Sequence, residues 1–210
     1  MKPMKIYEQR QAPNPRRVRL FLNEKGIEIP FEQIDLKAGD NLTDEIKALN
    51  PEKTVPFLLL DNGTVISETI AICRYFEDTQ PELPLFGRNT LEKAQVEMWQ
   101  RRIEFGFYLK VLMGFQHITG YFSDRMAPNP EWGETCKQQA IEYLSLLETH
   151  LEGNTWVLGD YFSVADITLL CGIDFARVIK IRLGDEYPNL IGWHERINLR
   201  QSVIEDNKPS

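Results

Sequence analysis

The chain has 210 residues, 42% apolar and 26% charged, and its 31 acidic against 24 basic side chains give a formal net charge of −7. This composition excludes a disordered or fibrous chain, and a chain of this length buries roughly 70% of its unfolded surface, enough to need no disulfide or metal staple. The acidic balance argues against a nucleic-acid surface, because neutralising phosphates requires a basic face.

Cys73, Cys136 and Cys171 are an odd, scattered set without CxxC spacing, which points to a reducing compartment. The N-terminus, Met1 to Lys5, runs into Ile6-Tyr7-Glu8 without the apolar core of a signal peptide. The longest apolar stretch, Val164 to Ala176, is interrupted by Asp166 and Asp174 and is too short to span a bilayer. The expectation is a soluble cytoplasmic protein without membrane or nucleic-acid partners.

In chain order, Lys5 to Glu8 reads as a strand, and Pro15 to Lys25 as a helix with proline in its first turn and Gly26 at its end. Glu28 to Ile34 reads as a second strand with Ile29, Phe31 and Gln33 on one face. Leu42 to Leu49 is a weaker helix, stopped by Asn50-Pro51. Pro56 to Leu60, the turn Asp61-Asn62-Gly63, and Thr64 to Ile66 make a hairpin signal. Ser67 is placed to cap a helix over Glu68 to Asp78. This βαβ–ββα order predicts a small α/β domain over residues 1–80.

Residues 81–89 have linker composition, with Pro81, Pro84 and Gly87. Strand signals then vanish, and residues 90–210 are predicted to be all-helical. Val96, Trp99, Ile103, Phe107 and Leu112 recur along one predicted helix from Leu91 to Thr119. A second runs from Glu131 to Leu151 after Pro128 and Pro130. Ser163-Val164-Ala165-Asp166 is a capping box, flanked by Phe162 and Ile167 as a hydrophobic staple, and it starts an apolar helix running to about Lys180.

The sequence gives no support for a metal centre: His117, His150 and His194 fall in no zinc-ligand spacing. It also has no P-loop, no GxGxxG and no GxSxG elbow.

The informative stretches are Lys53-Thr54-Val55-Pro56-Phe57 and Ser67-Glu68-Thr69-Ile70-Ala71. Together with the element order, the proline-bearing linker, the helical second half and the Ser163–Asp166 box, they make the chain resemble the glutathione S-transferase superfamily along essentially its whole length. The resemblance implies a thioredoxin-like α/β domain followed by an all-α bundle. It also implies a cytoplasmic homodimer, with glutathione as substrate and no metal. A cis Val55-Pro56 bond, which the resemblance implies, would turn the Val55 backbone groups outward to pair with the tripeptide as a short antiparallel strand. Glu68 and Thr69, at a helix N-terminus, would clamp the γ-glutamyl ammonium and carboxylate. Lys53, Thr54 and Asn41 stand where the family contacts the glycine carboxylate. Lys53-Thr54 replaces the frequent Gly-Lys, and Asn41 a frequent His.

The catalytic position departs from the pattern. Where the family carries a hydroxyl or thiol after the first strand, this chain has Ala12, whose side chain cannot donate. Asn14, in an Ala-Pro-Asn segment similar to the Thr-Pro-Asn of Nu-class enzymes, is the leading replacement. Tyr7, in the first strand, is a second candidate, and Gln11 and Arg10 are weaker ones. Phe105, Tyr108, Leu112 and Phe115 are candidate second-substrate contacts, from the apolar face of the long helix. The expected activity is attack of the glutathione thiolate on a small hydrophobic electrophile or on a disulfide, with a disulfide reductase or peroxidase version of the same chemistry. The rival reading is a non-catalytic scaffold of the stringent-starvation type with the same fold, kept open by Ala12.

Overall fold

The computed structural model describes residues 3–208; Met1 and Lys2, part of the stretch read for a signal peptide, lie outside the described residues. The chain divides into two compact units, one made of the segment up to Leu83 plus the segment from Gln201, the other of Pro84–Arg200.

The first unit is thioredoxin-like. Strands β1 (Lys5–Glu8), β2 (Phe31–Gln33), β3 (Phe57–Leu59) and β4 (Val65–Ser67) form a four-stranded sheet in the order β2-β1-β3-β4. β1 and β2 are parallel, and the other pairs are antiparallel. Helices α1 (Pro13–Lys25) and α3 (Thr69–Thr79) pack together, with Val18, Phe21, Ile72 and Cys73 fully buried. Tyr7, Ile34, Ile46, Val55, Phe57 and Leu59 form a separate apolar cluster that includes Ile46 of the short helix α2 (Asp44–Leu49).

Three local expectations change. β2 is a three-residue edge strand with every side chain exposed, and Ile34 just beyond it supplies the buried contact. Ser67 ends β4 instead of capping α3: the cap is Glu68, whose φ of 70° no side-chain bond compensates. The segment after Gln201 forms α9 (Gln201–Asp206) and packs on α1, so it does not belong with the helical unit.

The second unit is a helical bundle: α4 (Thr90–Ile103), α5 (Leu109–Thr119), α6 (Pro130–Leu151), α7 (Val164–Ala176) and α8 (Pro188–Asn198). The helix expected to run unbroken to Thr119 is interrupted by a π-helical segment at Glu104–Tyr108. Phe107 and Tyr108 are both buried there, and the core stripe continues at Val111, leaving Leu112 only half-buried.

The predicted capping box forms at the start of α7. Asp166, fully buried, accepts the Ser163 N–H on one oxygen and the Val157 N–H and Trp193 Nε1–H on the other. Burial pushes its carboxyl up to about 6, even though all of these donors pull it down. Among the described residues, no helix is long and apolar enough to cross a membrane. Also among them, no group of three or more His, Cys, Asp or Glu is arranged to hold a metal ion.

Candidate functional site

Sheet register gathers the chemistry. Tyr7 stands opposite Phe57, and Phe57 opposite Ser67, so three connections leave the sheet at one end. They are the turn after β1 that leads to α1, the segment entering β3, and the β4–α3 junction. The same end receives the loop after β2, because Gln33 pairs with Glu8. Gln11, Asn14, Lys53, Thr54, Val55, Glu68, Thr69 and Asn41 are all carried by these four segments.

The segment entering β3 is held from behind. Asn41 Nδ2 donates to the Lys53 carbonyl at 2.7 Å, and Asn50 Nδ2 donates to the Thr54 carbonyl at 2.9 Å. The Lys53 N–H donates to the Asn50 carbonyl at 2.9 Å, with Lys53 at φ 58°. Val55-Pro56 is cis. Among the described residues, the Val55 N–H and C=O have no hydrogen-bond partner. That leaves one residue of strand edge open for an extended peptide. Asn41, only 6% exposed, braces this loop, while Lys53 and Thr54 are exposed. In the sequence Asn50 reads only as a helix stop. Its second role has no signature beyond an amide just ahead of a Lys-Thr-Val-Pro run.

At the β4–α3 junction Glu68 is exposed and Thr69 is buried as the first residue of an eleven-residue helix without a side-chain cap. A positive φ on a non-glycine residue disfavours the backbone locally and belongs to sites where geometry matters more than propensity. Here it falls on the residue that immediately precedes the uncapped start of α3. An anion at that start meets open N–H groups and the positive end of the helix dipole, and the Glu68 carboxylate can hold an ammonium beside it. An α-amino acid end group carries both charges.

Ala12 caps α1 with no side-chain bond, and Pro13 and Pro15 contribute no N–H. Asn14 is therefore the only one of the first three helical residues with a main-chain N–H. Its half-buried side chain accepts from Arg17 Nη1 at 3.3 Å through Oδ1. A guanidinium can only donate, so this contact turns the amide Nδ2 the other way, as a donor. Gln11 is exposed in the turn before it.

Tyr7 is 5% exposed and stacks on Phe57 with ring centroids 4.4 Å apart, a core position for its ring that disfavours it as a sulfur ligand. The four aromatic and apolar candidates of the second unit do not share a surface. Tyr108 is 2% exposed beside Gly172, whereas Phe105 is 55% exposed with Arg101 against its ring. Leu112 and Phe115 are half-buried, and Phe115 joins an aromatic cluster with Tyr121, Phe122 and Phe175.

Comparison with known proteins agrees with this geometry. The family model described as "Glutathione S-transferase, N-terminal domain" matches residues 12–79, and "Glutathione S-transferase, C-terminal domain" matches residues 116–201. Glutathione S-transferase 2 of Saccharomyces cerevisiae is 34% identical over 204 residues, covering 95% of this chain and 88% of that one. The crystal structure of Gtt2 from the same yeast has a TM-score of 0.88 at 33% identity, over 96% of this chain and 99% of that one. The Gtt2-class glutathione S-transferase of Vibrio parahaemolyticus has a TM-score of 0.85 at 37% identity, over 96% of each chain. With family models on both units and relatives aligned along nearly their whole length, the chain belongs to the glutathione S-transferase family.

Proposed function

We propose that the first unit binds reduced glutathione and activates its thiol for attack on an electrophile or a disulfide. The observation that carries this reading is the pairing, at one end of the sheet, of the open Val55 edge with the Glu68-Thr69 start of α3. Val55 would pair with the cysteinyl residue, and Glu68 and Thr69 would hold the γ-glutamyl ammonium and carboxylate. The exposed Lys53 and Thr54 would meet the glycine carboxylate.

In the proposed chemistry the thiol loses its proton to solvent and Asn14 Nδ2 donates to the resulting thiolate. The sulfur lone pair then forms a C–S bond while the electrophile's leaving group departs. With a disulfide it forms a new S–S bond and releases the other sulfur as a thiolate. A free thiol near pKa 8.5 is only about 3% ionised at pH 7, so a donor that lowers the pKa by one unit raises the reactive fraction almost tenfold. A cytoplasmic homodimer remains the expectation, and sedimentation would test the dimer directly.

The test is calorimetric titration of reduced glutathione at pH 7 in two buffers of different ionisation enthalpy. Binding accompanied by proton release supports thiolate formation at the site. Absence of binding would overturn the enzyme reading in favour of the scaffold. Thr69→Ala should weaken binding roughly tenfold or more, as expected for a lost hydrogen bond to a charged group.

A further inference from the structure

The turn between β1 and α1 is tied to the far end of the chain by buried charges. Arg19, on α1, donates to three partners: Glu8 Oε2 at 2.5 Å, Asp206 Oδ1 at 2.6 Å, and the Arg10 carbonyl at 3.0 Å. Glu8 ends β1, Arg10 lies in the turn itself, and Asp206 is the last residue of α9. Asp206 is itself buried, its side chain 3% exposed, and its second oxygen accepts from Arg16 Nε at 3.0 Å. Arg10 is held at other atoms as well. Its N–H donates to Gln33 Oε1 at 3.1 Å, and Gln33 Nε2 donates to Glu8 Oε1 at 2.9 Å. Its guanidinium reaches the carbonyls of Asp206 at 3.0 Å and Lys208 at 3.3 Å, at the C-terminal end of α9, where the helix dipole favours a cation.

A trans peptide is planar, with its C=O and the following N–H on opposite sides. Fixing the Arg10 carbonyl on the buried Arg19 therefore turns the Gln11 N–H away from that guanidinium. Among the described residues the Gln11 N–H has no hydrogen-bond partner, whereas the next one, on Ala12, donates back to the Gln9 carbonyl at 2.9 Å.

We propose that Asp206 and Arg19 are positioning residues for the thiolate site, holding the β1–α1 turn so that the Gln11 main-chain N–H joins Asn14 as a sulfur donor where Ala12 offers none. This rests on the glutathione reading above. Two carboxylates, Glu8 and Asp206, set the Arg19 guanidinium in place, and Arg19 sets the peptide plane.

The experiment compares Asp206→Ala, Asp206→Asn and the unaltered protein by two readouts. The first is the pKa of bound glutathione, from thiolate absorbance against pH, measured with kcat and KM. The second is amide hydrogen exchange of residues 9–14 without glutathione. In Asp206→Ala the bound thiol should rise by about half a unit or more, leaving roughly threefold less thiolate at pH 7. The KM for glutathione should move by less than about twofold. Exchange at Arg10 and Ala12, whose N–H groups are bonded to Gln33 and Gln9, should speed up roughly tenfold. Asp206→Asn, which keeps one acceptor, should recover part of each change. Leu147→Ala, a core deletion in the other unit, should leave the thiol pKa and this exchange unmoved.

Unchanged exchange in a folded Asp206→Ala protein would overturn the proposal, and so would faster exchange with an unchanged thiol pKa. Failure of the unaltered protein to bind glutathione would instead overturn the function proposed above, and the exchange data would still report on the clamp.

Discussion

Replacing Asp166 with alanine tests what holds the second unit together. Three N–H groups, from Val157, Ser163 and Trp193, end on this fully buried carboxylate at 2.9–3.0 Å. Each orphaned buried donor costs about 1–3 kcal/mol, so three cost about 6 kcal/mol. Against that, burial pushes the carboxyl from its ordinary 3.8 up to about 6, and the alanine escapes this penalty on the ionised form. Two units correspond to about 3 kcal/mol, which leaves a net loss of about 3 kcal/mol at pH 7. The pH dependence follows from the raised value. Between about pH 4 and 6 the folded protein holds a proton that the unfolded chain has released, so this group's contribution grows as pH falls and is lost as pH rises through 6. The gap between the unaltered protein and Asp166→Ala should therefore widen on acidification from pH 7 towards pH 4.5. All four tryptophans (Trp99, Trp132, Trp156 and Trp193) belong to the second unit, so urea unfolding followed by their fluorescence reads the relevant transition. A gap below about 1 kcal/mol at pH 7 would refute the orphan-donor argument. A gap that narrows on acidification would mean that the donors outweigh burial.

Asn14→Ala should raise the bound thiol pKa by about one unit, and turnover at pH 7 should fall close to tenfold; a pH–rate profile reads both. Tyr7→Phe should leave kcat/KM within about twofold, because the ring's work is packing, and a loss beyond tenfold would return Tyr7 to the site. Gly87→Ala should destabilise by about 2 kcal/mol or more in thermal unfolding. The added Cβ would lie 2.4 Å from the Lys93 main-chain N, and φ is +100°.

Much of the fold could be read from local signals because local physics decides it. The Asn62-Gly63 turn, the Gly26 stop of α1 and the Ser163–Asp166 box each satisfy backbone groups within a few residues. The π-helical segment could not be read, because the buried positions Ile103, Phe107 and Val111 keep ordinary helical spacing across it. Ser67 has the right chemistry for a cap, but its pairing with Phe57 in the sheet takes precedence. Asn41 also braces the loop, which no local signal shows, because a side chain's target depends on where Lys53 lies in space. The Arg19–Asp206 pair could not be read at all: 187 positions separate its members, and each alone resembles an ordinary charged helix residue.

The first unit is discontinuous in sequence, and this bears on the order in which the protein can be made. A ribosome adds about 5–20 residues per second, so translating residues 84–200 takes about 6–23 s after the sheet and α1 have been made. Throughout that interval Arg19 and Glu8 are present, but their C-terminal partner has not yet been synthesised. A nascent chain thus holds its β1–α1 turn through Glu8 and Gln33 alone, and the clamp on Arg19 is completed only once Asp206 has been made. Any activity that depends on the completed clamp is withheld until the helical unit has been made.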